Sequence, residues 1–246
     1  MTAPTLQLRG VDKRYGDKHA VAALDLTLYP GDFYALLGAN GAGKTTTLKM
    51  IAGLLKPDAG TITIAGHDLA TAPEAAKRPL AFLPDEPLLY GKLRCDEYLE
   101  FVAGLWSLPT ALSMPRAEAL LREFELWDQR RALCDSLSRG MQQKLTLAGA
   151  LIHDPAVLIL DEPLTGLDAA AARKVKDLLA QRARNGLTVL FTTHILEVAE
   201  RLATRIGLIR AGALIAEGSL AALRAQYGGA DSTLEDVFLT ATGTGG

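Results

Sequence analysis

The sequence predicts an α/β fold, with a mixed-sheet core, an N-terminal antiparallel β subdomain and an inserted α-helical subdomain. Three observations carry that prediction. The apolar run Phe33-Tyr34-Ala35-Leu36-Leu37 reads as a buried strand, and it leads into a glycine-rich stretch at 38–45 and then a helical pattern. A second apolar run, Val157-Leu158-Ile159-Leu160, has the continuous character of a strand covered on both faces and ends in Asp161-Glu162. Between the two, from Asp96 to Ala150, the pattern turns helical and holds both tryptophans, Trp106 and Trp127.

Each element follows from local pattern. Leu6 and Leu8 alternate on a first strand, and Leu24, Leu26 and Leu28 share one face of a second at 21–29; Tyr15 falls in the loop between them. Pro30-Gly31-Asp32 is a turn. A helix runs over about 44–54 and stops at the breaker cluster Lys56-Pro57-Asp58-Ala59-Gly60. Short strands follow at 61–64 and 80–83, with Gly66-His67 as a turn. In the helical subdomain, about 88–150, Leu99, Val102 and Leu105 recur at helical spacing, Pro109 and Pro115 punctuate, and the tryptophans are expected in its core.

Past Asp154-Pro155 the α/β alternation returns. A helix at 169–184 closes at Asn185-Gly186, a strand occupies 188–192, a helix 195–203, and strands 205–209 and 214–217. Ser219 stands as an N-cap for a helix at 220–227. Leu234, Val237 and Phe238 share one face of a last short docking helix, and 240–246 reads as a frayed tail. The expected organisation is one domain over 4–240 with a flexible tail at 241–246. No internal repeat is evident.

The glycine-rich stretch, Gly38-Ala39-Asn40-Gly41-Ala42-Gly43-Lys44-Thr45, has the spacing of a phosphate-binding loop. Its glycines let successive backbone N–H groups point into one concavity, and the helix it opens adds a positive dipole end. Lys44 then reaches the β- and γ-phosphates, and the hydroxyl of Thr45, with Thr46 beside it, holds Mg²⁺. The second buried strand delivers Asp161 to the C-terminal edge of the sheet, where ligands of open α/β folds bind. Asp161 orders the metal shell, and Glu162 is placed to polarise a water for in-line attack on a γ-phosphate. No Asn-Lys-x-Asp run reads guanine, and no Arg-rich lid marks a small-molecule kinase.

Composition narrows the class further. The 246 residues, 49% hydrophobic and 22% charged, describe an ordinary soluble globule of one large domain or two modest ones. A net charge of −2 gives no electrostatic reason to expect nucleic acid. The start lacks the profile of a secretory signal, and no apolar run approaches the roughly 18 residues that span a bilayer, so the expected place is the cytoplasm. Cys95 and Cys134 have no C-x-x-C spacing and are expected to be buried thiols, with neither disulfide nor zinc. His19, His67 and His153 read as structural.

Further segments carry a resemblance. Leu137-Ser138-Arg139-Gly140-Met141-Gln142, Leu167-Asp168 and Thr192-Thr193-His194, in this order with the loop and Asp161-Glu162, resemble the signature motif, D-loop and switch histidine of the ATP-binding subunit of an ABC transporter. The likeness covers 4–240. Pro84-Asp85-Glu86-Pro87, Arg139-Gly140-Met141 and 234–239 are similar to the ATPases of bacterial type-2 exporters.

The resemblance implies the P-loop NTPase fold of ABC type, ATP and Mg²⁺ as ligands, and ATP hydrolysis. It also implies a dimer, of two copies or of this chain with a relative, in which the signature of one subunit faces the phosphate loop of the other. By the same resemblance Tyr15 stacks on adenine, Ser138 and Gly140 meet a γ-phosphate in trans, Asp168 couples the two sites, and His194 positions the attacking water. The partner implied is a separate integral-membrane permease, gripped by the helical subdomain and the segment at 83–93. The location implied is peripheral, at the inner face of the cell membrane.

Two departures from the family pattern stand out. Arg139 and Met141 replace its usual Gly and Gln, so Arg139 adds charge near a phosphate and gives up the backbone freedom of glycine. Asp85 stands where the family has Gln; either Asp85 binds Mg²⁺ through a water, or Glu86 takes part instead. An alternative is a soluble ABC-type ATPase acting mechanically on nucleic acid or the ribosome. That class is expected to carry a long coiled coil or two cassettes, whereas the insert here is compact.

Overall fold

The computed structural model describes residues 2–86, 89–229 and 232–243. The N-terminal part forms β1 (Leu6–Tyr15), β2 (Lys18–Leu28), β3 (Phe33–Leu37), α1 (Lys44–Ile51), β4 (Ala59–Ile64), β5 (His67–Asp68), α2 (Pro73–Lys77) and β6 (Leu80–Leu83). Three helices follow, α3 (Cys95–Leu105), α4 (Thr110–Glu123) and α5 (Arg139–Leu151). The chain then forms β7 (Val157–Asp161), α6 (Ala169–Arg184), β8 (Thr188–Thr192), α7 (Leu196–Leu202), β9 (Arg205–Arg210), β10 (Ala213–Gly218), α8 (Leu220–Tyr227) and α9 (Leu234–Thr242).

Two sheets enclose α1. The first is antiparallel, in the order β2-β1-β4-β5; the second has the order β10-β9-β3-β8-β7-β6 and is parallel except for β10. Alternation decides which residues meet. Leu6, Leu8, Leu24, Leu26, Leu28, Ile62 and Ile64 of the first sheet share a core with Leu48, Met50 and Ile51 of α1 and with Tyr34 and Leu36 of β3. Phe33, Ala35 and Leu37 point the other way, into a second core shared with helices α3 to α9. Strands covered on both faces must be apolar throughout, which is why β3 and β7 read as continuous runs.

Parallel pairing has one consequence for function. Leu36 pairs with Thr192, and Thr192 with Asp161, so the C-terminal ends of β3, β8 and β7 lie in one row. Leu83 pairs with Leu160, which adds the end of β6 to that row.

Several expectations are corrected. Tyr15 closes β1, ahead of a tight turn at 16–17. Helix α1 ends at Ile51, three residues early, where Gly53 adopts a positive φ. Leu105 is exposed, because it lies off the buried face of α3 set by Cys95, Tyr98, Leu99 and Ala103. Pro115 sits inside α4 and does not end it; it lies in an exposed stretch of the helix with Ala111 and Met114.

Helix α9 runs on to Thr242, capped by Gly243 at positive φ and tied by Arg210, which donates to the Thr242 carbonyl; residues 244–246 lie outside the description. Cys95 and Cys134 are free, buried thiols. The tryptophans are half-buried: Trp127 has the guanidinium groups of Arg122 and Arg130 at 4.2 and 4.5 Å from its ring, and Trp106 stacks on His153 at 3.9 Å.

His153 joins the helical insert to the sheet. Its Nε2 lies 3.1 Å from the Leu80 carbonyl, an acceptor only, so Nε2 carries the proton; the buried Nδ1 has no partner among the described residues. Burial pushes its pKa below the ordinary 6.5, aided by Arg116 and opposed by the Leu80 carbonyl and Asp154. A histidine depressed on folding stabilises fully above its unfolded value and loses that contribution as pH falls through 6.5 toward the folded value. Thermal melts between pH 7 and about pH 5.5 should therefore drop more steeply for the wild-type chain than for His153→Gln. Equal slopes would show that the ring carries no such linkage.

Candidate nucleotide-binding site

The site grows out of the end of β3. Gly43, the N-cap of α1, has φ +109, and a Cβ there would fall 2.3 Å from the Ala20 carbonyl oxygen, so glycine alone lets the loop press against β2. A Cβ at Gly38 would fall 2.4 Å from the Ile209 carbonyl oxygen of β9, so glycine keeps the loop close to that strand. Lys44 folds back over the loop, its Nζ donating to the carbonyls of Gly38 at 2.6 Å and Ala39 at 3.2 Å. Burial lowers the Lys44 pKa from its ordinary value, and the carboxylates of Glu162 and Asp161 oppose that shift.

A cavity of ≈ 190 Å³ lies over the loop, between Tyr15 and Lys18 on one side and Asn40, Gly41, Lys44, Thr45 and Thr46 on the other. Tyr15 is exposed on its rim. A larger cavity, ≈ 520 Å³, opens at the opposite edge of the sheet, beside the start of β7 and β8, and is lined by none of the residues singled out for chemistry.

Asp161 is buried at the end of β7 and accepts two hydroxyls, Thr45 Oγ1 at 3.0 Å and Thr192 Oγ1. Glu162, the next residue, has φ +49, and its N–H donates to the Thr192 carbonyl at 3.2 Å. Its Oε2 accepts from the His194 backbone N–H at 3.4 Å and lies 3.0 Å from His194 Nδ1. Thr165 N–H closes a turn onto the Glu162 carbonyl. Asp85 and Glu86 are exposed just past β6, the strand beside β7; Pro87 lies outside the described residues. The hydroxyl of Thr45 and the carboxylate of Asp161 are hard oxygen donors, a set that suits Mg²⁺ better than a soft metal.

The signature-like segment forms the first turn of α5. Ser138 is its N-cap, with Oγ accepting from Met141 N–H at 3.3 Å. Arg139 has ordinary helical geometry, so the expected loss of backbone freedom costs nothing here. Leu137 is buried, and Gln142 donates to the Cys134 carbonyl. The N–H groups of Arg139 and Gly140 find no acceptor among the described residues, leaving two donors at a positive helix end. No hydrogen bond among the described residues joins 137–142 to the loop at 38–46. Asp168 caps α6, accepting from Ala171 N–H at 2.8 Å.

Sequence reasoning passed over three side chains. Lys18 overhangs Gly41, and its signal is the basic residue just past the turn at 16–17. Thr192 opens the Thr192-Thr193-His194 motif, and its hydroxyl donates to the buried carboxylate of Asp161. Gln143 is buried in α5 and donates to the Pro163 carbonyl at 3.1 Å, a tertiary contact with no local signature.

Comparison with known proteins decides the family. The ABC transporter family model matches residues 21–165, more than half of the chain. The chain belongs to the ABC transporter family. It is an ATPase subunit of that family, with a P-loop α/β core.

This ABC ATPase is 40% identical over 229 residues to the daunorubicin resistance ATP-binding protein DrrA3 of Streptomyces coeruleorubidus, covering 93% of this chain and 72% of the relative. It is 33% identical to the ABC-type transporter ATP-binding protein EcsA of Bacillus subtilis, over 96% of both chains. Among solved structures, an ATP-binding subunit of an ABC transporter superposes with a TM-score of 0.90 at 32% identity, covering 96% of this chain and 99% of that one. A dimeric ATP-binding cassette in a post-hydrolysis state, bound to ADP and phosphate, superposes with a TM-score of 0.79 at 26% identity, covering 87% of this chain and 98% of that one.

The Asp161 cluster of this ABC ATPase yields a stability prediction. Thr192→Val keeps the side-chain shape and removes a buried donor from a carboxylate, so the variant should lose about 1–3 kcal/mol in urea unfolding. An unchanged midpoint would mean that the hydroxyl contributes nothing to holding Asp161.

Proposed function

We propose that the chain energises export through a separate membrane permease, with Lys44, Glu162 and His194 as its catalytic residues. The observation that carries this reading is the single row of strand ends, which gathers the loop at 38–45, Asp161-Glu162, Thr192-Thr193-His194 and Asp85 along one edge of the parallel sheet. Relatives named for daunorubicin resistance and for Nod factor export support the export direction.

In this reading ATP lies over the loop with adenine stacked on Tyr15 and its phosphates on the loop N–H groups, Lys44 and α1. Thr45 and Asp161, with Asp85 or Glu86 nearby, would hold Mg²⁺, which when bound offsets phosphate charge. Glu162 takes a proton from water as the water oxygen bonds to the γ-phosphorus and the bond to the ADP oxygen breaks. His194, whose backbone N–H donates to Glu162 Oε2 and whose ring Nδ1 lies 3.0 Å from it, orients that carboxylate and has Nε2 left to meet the γ-phosphate.

The active unit of the proposal is a dimer, as in the dimeric neighbour. The open donors of Arg139 and Gly140 and the hydroxyl of Ser138 serve the partner subunit's nucleotide, and Asp168 couples the sites across the interface. ATP then favours the closed pair only while its γ-phosphate bridges both chains, and hydrolysis lets them part. No helix among the described residues is long and apolar enough to cross a membrane, and we assign the crossing to the permease. Exposed Tyr90, Phe101 and Leu105 offer an apolar docking face on the helical insert, with Tyr90 and Phe101 packed edge to face at 4.8 Å. Docking there places the chain peripherally at the inner membrane face.

Two experiments test the assignment. Glu162→Gln should bind ATP, hydrolyse it at least about 100-fold more slowly, and accumulate dimers on size exclusion with MgATP. Wild-type turnover, or a monomer under those conditions, would contradict the cycle. Asp85→Ala should raise the Mg²⁺ concentration needed for half-maximal rate; an unchanged requirement would remove Asp85 from the metal shell.

A further inference from the structure

Glu162 is held in a conformation that its own sequence does not favour. A non-glycine residue at φ +49 is sterically costly, and such geometry persists only where surrounding contacts over-determine it. Three backbone contacts surround the position. Thr192 accepts the Glu162 N–H, the Glu162 carbonyl accepts from Thr165, and the carbonyl of Pro163, one residue on, accepts from Gln143 Nε2 at 3.1 Å. The first two come from the adjacent strand and from the turn itself. The third alone comes from a different layer, helix α5.

Gln143 is 1% exposed, and Pro163 is buried with no N–H of its own, so this amide–carbonyl bond is the polar link at that point of the turn. The same face of α5 abuts the turn twice more. A Cβ on Gly140 would fall 3.3 Å from the Gly166 carbonyl, and one on Gly166, which has φ +82, would fall 3.0 Å from Arg139 Cδ. Helix α5 therefore lies against 163–167 along a little more than one turn, with Gln143 as its buried anchor.

We propose that Gln143 is a positioning residue for Glu162: its side-chain amide, bonded to the Pro163 carbonyl, holds the left-handed turn that aims the Glu162 carboxylate. The proposal rests on Glu162 being the general base. Gln143 is buried and does not line the cavity over the loop, so it acts on turnover through that turn. Loss of the amide leaves the Pro163 carbonyl buried without a donor and lets the turn relax.

The test uses steady-state ATP hydrolysis by the full chain. Gln143→Leu should lower kcat about tenfold while KM for ATP stays within about twofold, because nucleotide contacts are untouched. Gln143→Glu supplies a second readout and keeps the side-chain size. A buried carboxyl at 143 has a raised pKa and donates to the carbonyl only when protonated, so its kcat relative to wild type should recover as pH falls from about 8 to about 6. In the Glu162→Gln background, Gln143→Leu should cost nothing further, since residues acting as one unit are non-additive.

A wild-type kcat in Gln143→Leu, a pH-independent ratio in Gln143→Glu, or the same fold-loss in both backgrounds would overturn the proposal while leaving Glu162 as base. Full turnover in Glu162→Gln alone would remove the base reading, and this inference with it.

Discussion

Two hydroxyls from different elements converge on one buried carboxylate, and the rest of the site depends on that meeting. Thr45 belongs to the helix that the phosphate loop opens, Thr192 ends the neighbouring strand, and Asp161 ends its own. A carboxylate this buried is tolerable only with donors around it, and here the donors also hold three segments at one depth. Parallel pairing supplies the coarse alignment, since strands that start together and run together finish together. The hydroxyl bonds then set the fine distance between the loop and the acidic pair.

Much of the fold was legible because burial and periodicity coincide. Strands β6, β7 and β8 and helices α6 and α8 are uniform elements bounded by strong punctuation, such as Asn185-Gly186 after α6 and Ser219 before α8. The site was legible for a different reason: Lys44, Asp161 and His194 each close or follow a strand of distinctive composition. What escaped notice depends on contacts between distant segments. Nothing near Gln143 announces that its amide reaches Pro163, and nothing near Leu105 tells that the buried stripe of α3 has turned away by that point. Small polar residues suggest fraying from 240, whereas α9 continues to Thr242, whose carbonyl Arg210 secures from another strand.

The two departures from the family pattern separate on structural grounds. Arg139 occupies ordinary helical space, and its aliphatic carbons lie across Gly166, so the glycine expected there is not required by the backbone. Asp85 differs: it stands exposed at a strand end one position over from the acidic pair, where a shorter, charged side chain alters the electrostatics directly. Substitution at 139 is thus a matter of packing between α5 and a loop, while substitution at 85 changes the charge exposed at the end of β6.

Helix α9 ends the described chain with Leu234 and Val237 fully buried, in contact with α8, β9 and β10. The two apolar residues sit in the same core that backs the parallel sheet. A shortened version stopping after β10 would therefore uncover the hydrophobic flank of β9, the strand hydrogen-bonded to β3, whose end launches the phosphate loop. The folding unit accordingly extends well beyond the Thr192-Thr193-His194 motif, and its far terminus belongs to the mechanical backing of the parallel sheet.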